Sequence, residues 1–384
     1  MAVEHGALVS GGAADDATIG VLNGGADGPS KTVGAGDGDV RRSGRRAPTL
    51  ETVAAASGFS RATVSRVING SPKVAPEIRR AIEEAIERVG YVPNQAARSL
   101  VTRRTGQIAL VVRESVEFGF TDLYLSGVVI AASQSLAGTG VQLSVMMAAD
   151  DADHARLGQY VRSGHVDGVL LISVHDDDPL PAQLIRAGMP MVIGGRPARP
   201  LPGGTYVDAD NVGGAVLAAE HLISLGHRRL AVVAGPRDMS AAVDRLEGFR
   251  KAVREARMPA PVVVHGDFTR DSGARAVPAI LRRLPDVDGV FAVNDLMAFG
   301  VLGALRAAGV DVPGRVGVVG FDDIEPARYS EPPLTTVAQP IADQARTMVE
   351  IVLELIEGRT ARGPVVLPVH LVPRGSTAAR GGTV

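Results

Sequence analysis

The sequence predicts a small all-α domain of helix-turn-helix type, followed by a larger α/β part whose parallel sheets form two lobes. Three observations carry this. Short amphipathic segments with helix-capping residues fill the stretch from Thr49 to Gly90. Beyond Gly106, apolar runs rich in β-branched residues alternate with helical pattern. Eight such runs are more than one ordinary open sheet holds, so two βα lobes are expected. At 384 residues the chain is long enough for several cores.

The first 47 residues are rich in Gly, Ala and Asp and hold too few large apolar side chains to offset the entropy of ordering. Residues 1–47 are therefore expected to be a disordered leader, closing on the basic run "RRSGRRAP", which suits either a phosphate contact or a soluble leader. Thr49 then caps a helix with Leu50, Val53 and Ala54 on one face, and Gly58 supplies the left-handed residue that ends it. Ser60 caps a second helix. Val64, Val67 and Ile68 point inward from it, and Arg61, Ala62, Ser65, Arg66 and Asn69 share the opposite side. A third helix starts at Pro76, buries Ile78, Ile82, Ile86 and Val89, and stops at Gly90. Three helices, the first two joined by a Gly-containing turn, read as a helix-turn-helix domain over residues 48–92.

Charge separates this region from the rest. Net charge is only −2, yet residues 41–104 hold 13 Lys and Arg against 5 Asp and Glu, between acidic neighbours. A block at +8 suits a polyanionic partner, although a solvated charged face would give the same count. Residues 93–105, within "YVPNQAARSLVTRRTGQ", form a connector whose "QAARSLV" is helix-compatible but too short to be stable alone.

The eight runs are "QIALVV", "VQLSVMM", "VDGVLLIS", "MPMVIGG", "RRLAVVAG", "APVVVHG", "DGVFAVND" and "RVGVVGFDD". The break between lobes is expected near "RPARPLPGG", residues 196–204, where Pro and Gly cluster. Ligands of parallel sheets bind beyond the carboxyl ends of the strands. The residues there are Ser173 and His175, Gly194 to Arg196, Asp208 to Asn211, Phe268, Asn294 and Asp295, and Asp322 and Asp323, with Phe120 and Arg245 within reach. Carboxylates, amides and a guanidinium beside a ring suit a polyhydroxylated ligand, since paired donors and acceptors satisfy vicinal hydroxyls while the ring covers an apolar sugar face. Each has a plain structural alternative: Asn294 and Asp295 as helix caps, Asp322 and Asp323 as turn residues, Arg245 as an ion-pair partner.

Other classes of chemistry find no support. Cysteine is absent, so no disulfide or thiolate metal site exists. The histidines lack metal-ligand spacing, and neither a phosphate-binding glycine loop nor a G-x-S-x-G elbow occurs. No enzyme activity, cofactor or metal is expected. Neither a secretory signal nor an apolar stretch of about 20 residues is present, which suggests a cytoplasmic, nucleoid-associated protein with no membrane partner.

The chain resembles transcription regulators of the lactose-repressor and galactose-repressor (LacI/GalR) family from about Thr49 to Thr377. The resemblance rests on "TLETVAAASGFSRATVSRVING", "GYVPNQAARSL", "EHLISLGHRRLAVVAGP", "VFAVNDLMAFGVLGAL", "VGVVGFDDIEPARYSEPPLTTV" and "PVHLVPRGST", in that order. It implies a homodimer, or a higher assembly, whose heads enter successive major grooves of a near-palindromic double-stranded operator. It also implies an effector and dimerisation domain over 106–377, like that of periplasmic sugar-binding proteins, and a C-terminal tail, 378–384. Arg61 and Ala62 fall at the two variable base-reading positions. Thr49, Ser60, Thr63, Ser65, Arg66, Asn69, Asn94, Ala97 and Leu100 complete the implied DNA-facing set, with Leu100 either wedged into a minor-groove step or packed between paired hinge helices. Arg245, Asn294 and Asp322 match effector-binding positions and Phe268 a stacking position; Phe120, Ser173 and Arg196 are the further ligand candidates. Two departures leave the near-lobe contacts open: "RESVEFGFTDLY" stands where Asn-Pro-Phe-Phe is common, and "VIGGRP" has glycine at a frequent aspartate. The implied function is repression relieved by a small ligand, a sugar, between the lobes. The alternatives are a sugar-binding receptor without a DNA role and a cytoplasmic sugar-processing enzyme.

Overall fold

A computed structural model describes residues 48–68, 70–92, 104–114, 122–148, 150–360 and 362–380. These divide into two units, one reaching Val64 and including Ala75–Tyr91, the other made of Ser65–Val74 and the chain from Val92 on.

The head has three helices: α1 (Leu50–Ser57), α2 (Arg61–Ile68) and α3 (Pro76–Val89). Thr49 caps α1 reciprocally with Thr52, and Gly58, in the left-handed region at φ 74°, closes it. At α2 the Ser60 hydroxyl accepts from the Thr63 amide at 3.2 Å. Val53, Val64, Val67, Ile82 and Ala85 are buried. The third helix differs from expectation in detail. Ile82 and Ala85 form its inward stripe, while Ile78, Ile86 and Val89 sit half-buried at the edge, because a small head cannot cover a whole helix face.

The larger unit holds two six-stranded sheets. The first contains β1 (Gln107–Val112), β2 (Gln142–Met147), β3 (Gly168–Ile172), β4 (Met191–Gly194), β5 (Tyr206–Ala209) and β11 (Val365–Leu367), in the order β11-β5-β4-β3-β1-β2 and all parallel. The second contains β6 (Leu230–Ala234), β7 (Val262–His265), β8 (Gly289–Ala292), β9 (Gly317–Asp322), β10 (Thr335–Ala338) and β12 (His370–Val372), in the order β12-β10-β9-β8-β6-β7, with only β12 antiparallel. Helices α4 (Leu123–Leu136), α5 (Asp151–Tyr160) and α6 (Leu180–Arg186) belong to the first lobe, and α7 (Asn211–Ser224), α8 (Ser240–Glu255), α9 (Arg270–Arg283) and α10 (Asp295–Ala307) to the second. Along β1, Ile108, Leu110 and Val112 join one apolar cluster while Ala109 and Val111 join another, so both faces of the strand are covered.

The chain passes between lobes three times. After β5 it enters the second lobe through α7. After β10 it returns as α11 (Ile341–Ile356), whose Ala345, Met348, Val349, Ile351 and Val352 complete a first-lobe core with Leu110 and Ile172. After β11 it crosses again to β12. This corrects the expected break at residues 196–204. That segment joins β4 to β5 within one sheet, and its Pro and Gly mark a surface loop; the crossing comes at Asp210. Four strands also lie outside the eight apolar runs. β5 has four residues, β11 and β12 three each, and β10 has two threonines buried because their hydroxyls find partners, Thr335 on the Arg374 carbonyl and Thr336 on Asp295. No helix among the described residues is long and apolar enough to cross a membrane.

Candidate functional site

The head presents Arg61, Ala62 and Arg66 to solvent, opposite Val64 and Val67. Arg61 Nε lies 3.1 Å from Glu51 Oε1, with both side chains more than 60% exposed. An ion pair this exposed is worth little and yields readily to a stronger anion. The hydroxyls are more occupied than the sequence suggests. Ser60 Oγ and Thr63 Oγ1 are 2.9 Å apart, and Thr49 Oγ1 accepts from the Thr52 amide, so these three also serve the helix starts. Ser65 is half-buried. Asn69, Asn94, Ala97, Leu100 and Phe120 lie outside the described residues.

The second candidate site is a cleft between the lobes, enclosing about 810 Å³ that is partly open to solvent. It gathers six of the named ligand candidates: Ser173, Arg196, Arg245, Phe268, Asn294 and Asp322. They come from the carboxyl ends of β3, β4, β7, β8 and β9 and from the first turns of α8, as parallel-sheet geometry requires. Four non-glycine residues at or just past these strand ends have positive φ: Ser173 at 54°, Phe268 at 67°, Asp322 at 119° and Asp323 at 57°. Such backbone costs on the order of 1–3 kcal/mol per residue and concentrates where a side chain must be aimed.

Arg245 is the centre of the cleft. It is 5% exposed. Its Nε donates to Asn211 Oδ1 at 2.8 Å, its Nη1 donates to the Val293 carbonyl at 2.6 Å and lies 3.3 Å from Asp322 Oδ1, and its guanidinium carbon stands 3.7 Å from the Phe321 ring centroid. Asp322 also accepts from Gln339 Nε2 at 2.7 Å. Burial pushes the Asp322 carboxyl up to about 7, against the pull of Arg245. Asn294 both caps α10, accepting from the Met297 amide, and donates to the Phe268 carbonyl at 2.9 Å, which ties β8 to the β7 loop.

The alternatives left open by the sequence resolve residue by residue. Asp295 is fully buried, accepts from Thr336 at 2.5 Å and from the Ile324 amide at 3.0 Å, and is absent from the cleft wall. Its carboxyl is held well above the usual range, first by burial and then by Asp322. Asp323 pairs with Arg374 at 2.5 Å. Both are structural. Arg196 lines the cleft, but its guanidinium is chelated by Asp244 of α8 at 2.7 to 3.0 Å, a bond between lobes. His175 reaches across as well, to Asp238 at 2.7 Å, and lies 3.8 Å from Glu114; those two carboxylates raise it to about 9. The glycine in "VIGGRP" has a local cause: Gly195 sits at φ 102°, where a side chain would be strained.

Sequence reasoning missed Glu114, Asp122, Tyr124, Gln339 and Gln344 in the cleft wall. Asp122 caps α4 through the Tyr124 amide at 2.8 Å, Tyr124 donates to Gln344 at 3.2 Å, and Gln344 donates to the Val207 carbonyl at 2.9 Å. The cap pattern "TDLYL" was a usable signal for Asp122. Nothing local announces Gln339 and Gln344, which arrive with the second crossing between lobes.

Asp208, a wall residue 6% exposed, accepts through Oδ1 from Asn211 at 3.0 Å and the Ala209 amide at 2.9 Å. Burial raises its carboxyl to about 6. A carboxyl raised in this way contributes stability that is fully present below its unfolded value, near 3.8, and lost as pH rises through about 6. Asp208→Asn removes that loss. Its melting temperature is expected to match the parent's near pH 4 and exceed it at pH 8, by a stability on the order of 2 kcal/mol. Equal melting at pH 8 refutes this.

A three-helix head with an exposed cationic helix, and a two-lobed parallel-sheet body with a polar cleft between the lobes, define a DNA-binding regulator that responds to a small ligand. The model for "Bacterial regulatory proteins, lacI family" matches residues 49–94 and that for "Periplasmic binding protein-like domain" matches 219–377. The transcriptional regulator CelR of Thermobifida fusca is 49% identical over 86% of this chain and 99% of its own, and GalR of Escherichia coli 34% identical over 81% and 90%. Among solved structures, a CelR–cellobiose complex has TM-score 0.69 at 46% identity, covering 86% of this chain and 99% of its own. A lac repressor dimer bound to operator and an anti-inducer has TM-score 0.74 at 26% identity, covering 87% and 100%. The chain belongs to the LacI family of bacterial regulatory proteins. It is a transcriptional regulator and not an enzyme.

Proposed function

We propose that the protein is a homodimeric repressor that holds a near-palindromic operator through residues 48–92 and is released by a sugar bound in its interlobe cleft. The observation that carries the reading is the convergence of Arg245, Asp322, Asn294 and Asp208 beside the places where the chain passes from lobe to lobe. A ligand touching both walls there has different contacts in each lobe arrangement, and that difference is what shifts an equilibrium. Residues 93–105 transmit the shift to the heads, with coupling on the order of 1–3 kcal/mol. The CelR–cellobiose complex supports a glucose-type disaccharide, and the lac repressor dimer on operator supports the paired assembly. The protein then works in the cytoplasm, on the nucleoid.

The test is a mobility shift on DNA upstream of the protein's own gene, titrated with salt and with disaccharides. Specific binding that weakens with salt and is lost on adding one sugar is expected. A shift unaffected by every sugar refutes the effector assignment. Within the complex, Arg61→Ala should relax base preference at one position of each half-site, by about 1–3 kcal/mol. Uniform weakening on all sequences would make Arg61 a phosphate contact instead.

A further inference from the structure

The charges lining the cleft do not balance, and the imbalance restricts what it accepts. Two guanidiniums face it, and both are occupied: Arg196 by Asp244, Arg245 by Asp322, Asn211 and a carbonyl. No lysine lines it among the described residues. Four carboxylates line it: Glu114, Asp122, Asp208 and Asp322. Glu114 has His175 nearby and Asp322 has Arg245. Asp122 and Asp208 have no ion-pair partner among the described residues, only amide donors. At Asp208 both bonds run to Oδ1, and at Asp122 the Tyr124 amide is on Oδ1 with the Leu125 amide as a further donor.

We propose that the cleft selects sugars that carry no negative charge, and that Asp122 and Asp208 are the residues that reject phosphorylated and acidic sugars. Hydroxyl groups are donors, and an ionised carboxylate with acceptor capacity left over is the partner that suits them. A phosphate or carboxylate on the same ring meets two carboxylates without an ion-pair partner, while each nearby cation, Arg196, Arg245 or His175, already holds a carboxylate of its own. The inference deepens the sugar-effector reading and rests on it.

The test measures binding to the full-length protein by calorimetry at pH 7.5. Probes are cellobiose, maltose and lactose, the 6-phosphate of each, and the analogues with a terminal glucuronate. At least one neutral disaccharide is expected to bind, with its phosphate and glucuronate at least 100-fold weaker. The glucuronate differs from the parent sugar little in size, so it separates charge from bulk. In the double variant Asp122→Asn/Asp208→Asn, the ratio of neutral to anionic affinity should narrow at least tenfold, whatever happens to affinity itself. An anionic sugar that binds as well as its neutral parent overturns the charge selection while leaving a sugar effector intact. An unchanged ratio in the double variant overturns the assignment to these two residues. Failure of every sugar, charged or not, overturns the effector reading and this inference together.

Discussion

On the proposed function, Arg245→Ala is expected to abolish the response to sugar, the operator complex persisting at sugar concentrations that dissolve the parent's. The same change lowers stability by on the order of 3–5 kcal/mol, because it strips the partner from the buried Asp322 carboxylate and from the Val293 carbonyl and Asn211 amide oxygens. Arg245→Lys keeps the charge but cannot reproduce the planar fork that reaches Asn211 and Val293 together. It should recover part of the melting temperature and none of the sugar response. Thermal melts and operator titrations on the three proteins decide the matter. Undiminished sugar sensitivity in Arg245→Ala would remove the residue from the site.

The second large effect lies away from the cleft. Helices α9 and α10 touch backbone to backbone: a Cβ placed on Gly300 would overlap the Arg270 carbonyl, and one on Gly273 the Met297 carbonyl. Gly300→Val must push the helices apart and break the apolar contacts of Val277, Ile280 and Val301 behind them. A loss at or above the top of the roughly 1–3 kcal/mol seen for over-packing is expected in urea unfolding. Gly303→Val, one turn further along α10 and facing open space, is the matched control and should change little. Equal midpoints for the two variants would show that the close crossing is not needed.

Much of this was legible in the residues themselves. The caps at Thr49 and Ser60 and the glycines at 58 and 90 marked the head because each satisfies a backbone requirement locally. Six of the eight strong strands were legible because burial on both faces leaves an apolar run, and the edge strands β2 and β7, half-buried, were legible from their Val and Met content alone. Thr335 and Thr336 hid β10, since a buried hydroxyl looks polar until its partner is known. Asp322 could be named from its place after an apolar run and Arg245 as within reach of it, and both line the cleft, but their mutual pairing depends on a three-dimensional approach between α8 and β9. Arg196 shows the limit best: its residue type and place after β4 put it in the cleft wall, but its pairing with Asp244, 48 positions on, leaves no local trace in the sequence.

The threefold passage of the chain between lobes bears on how the molecule is made. A nascent chain that has emerged to Ala209 holds five of the six strands of its first sheet, yet lacks α11 and β11, which arrive with residues 341–367. Until then Leu110, Ile172 and Val207 have no Met348, Val349 or Val352 to pack against. The later-encoded lobe, by contrast, has all but its edge strand β12 in hand by Ala338. Folding on the ribosome should therefore run against the direction of synthesis, with the second lobe settling first and the first waiting for the carboxyl-terminal segment to close it.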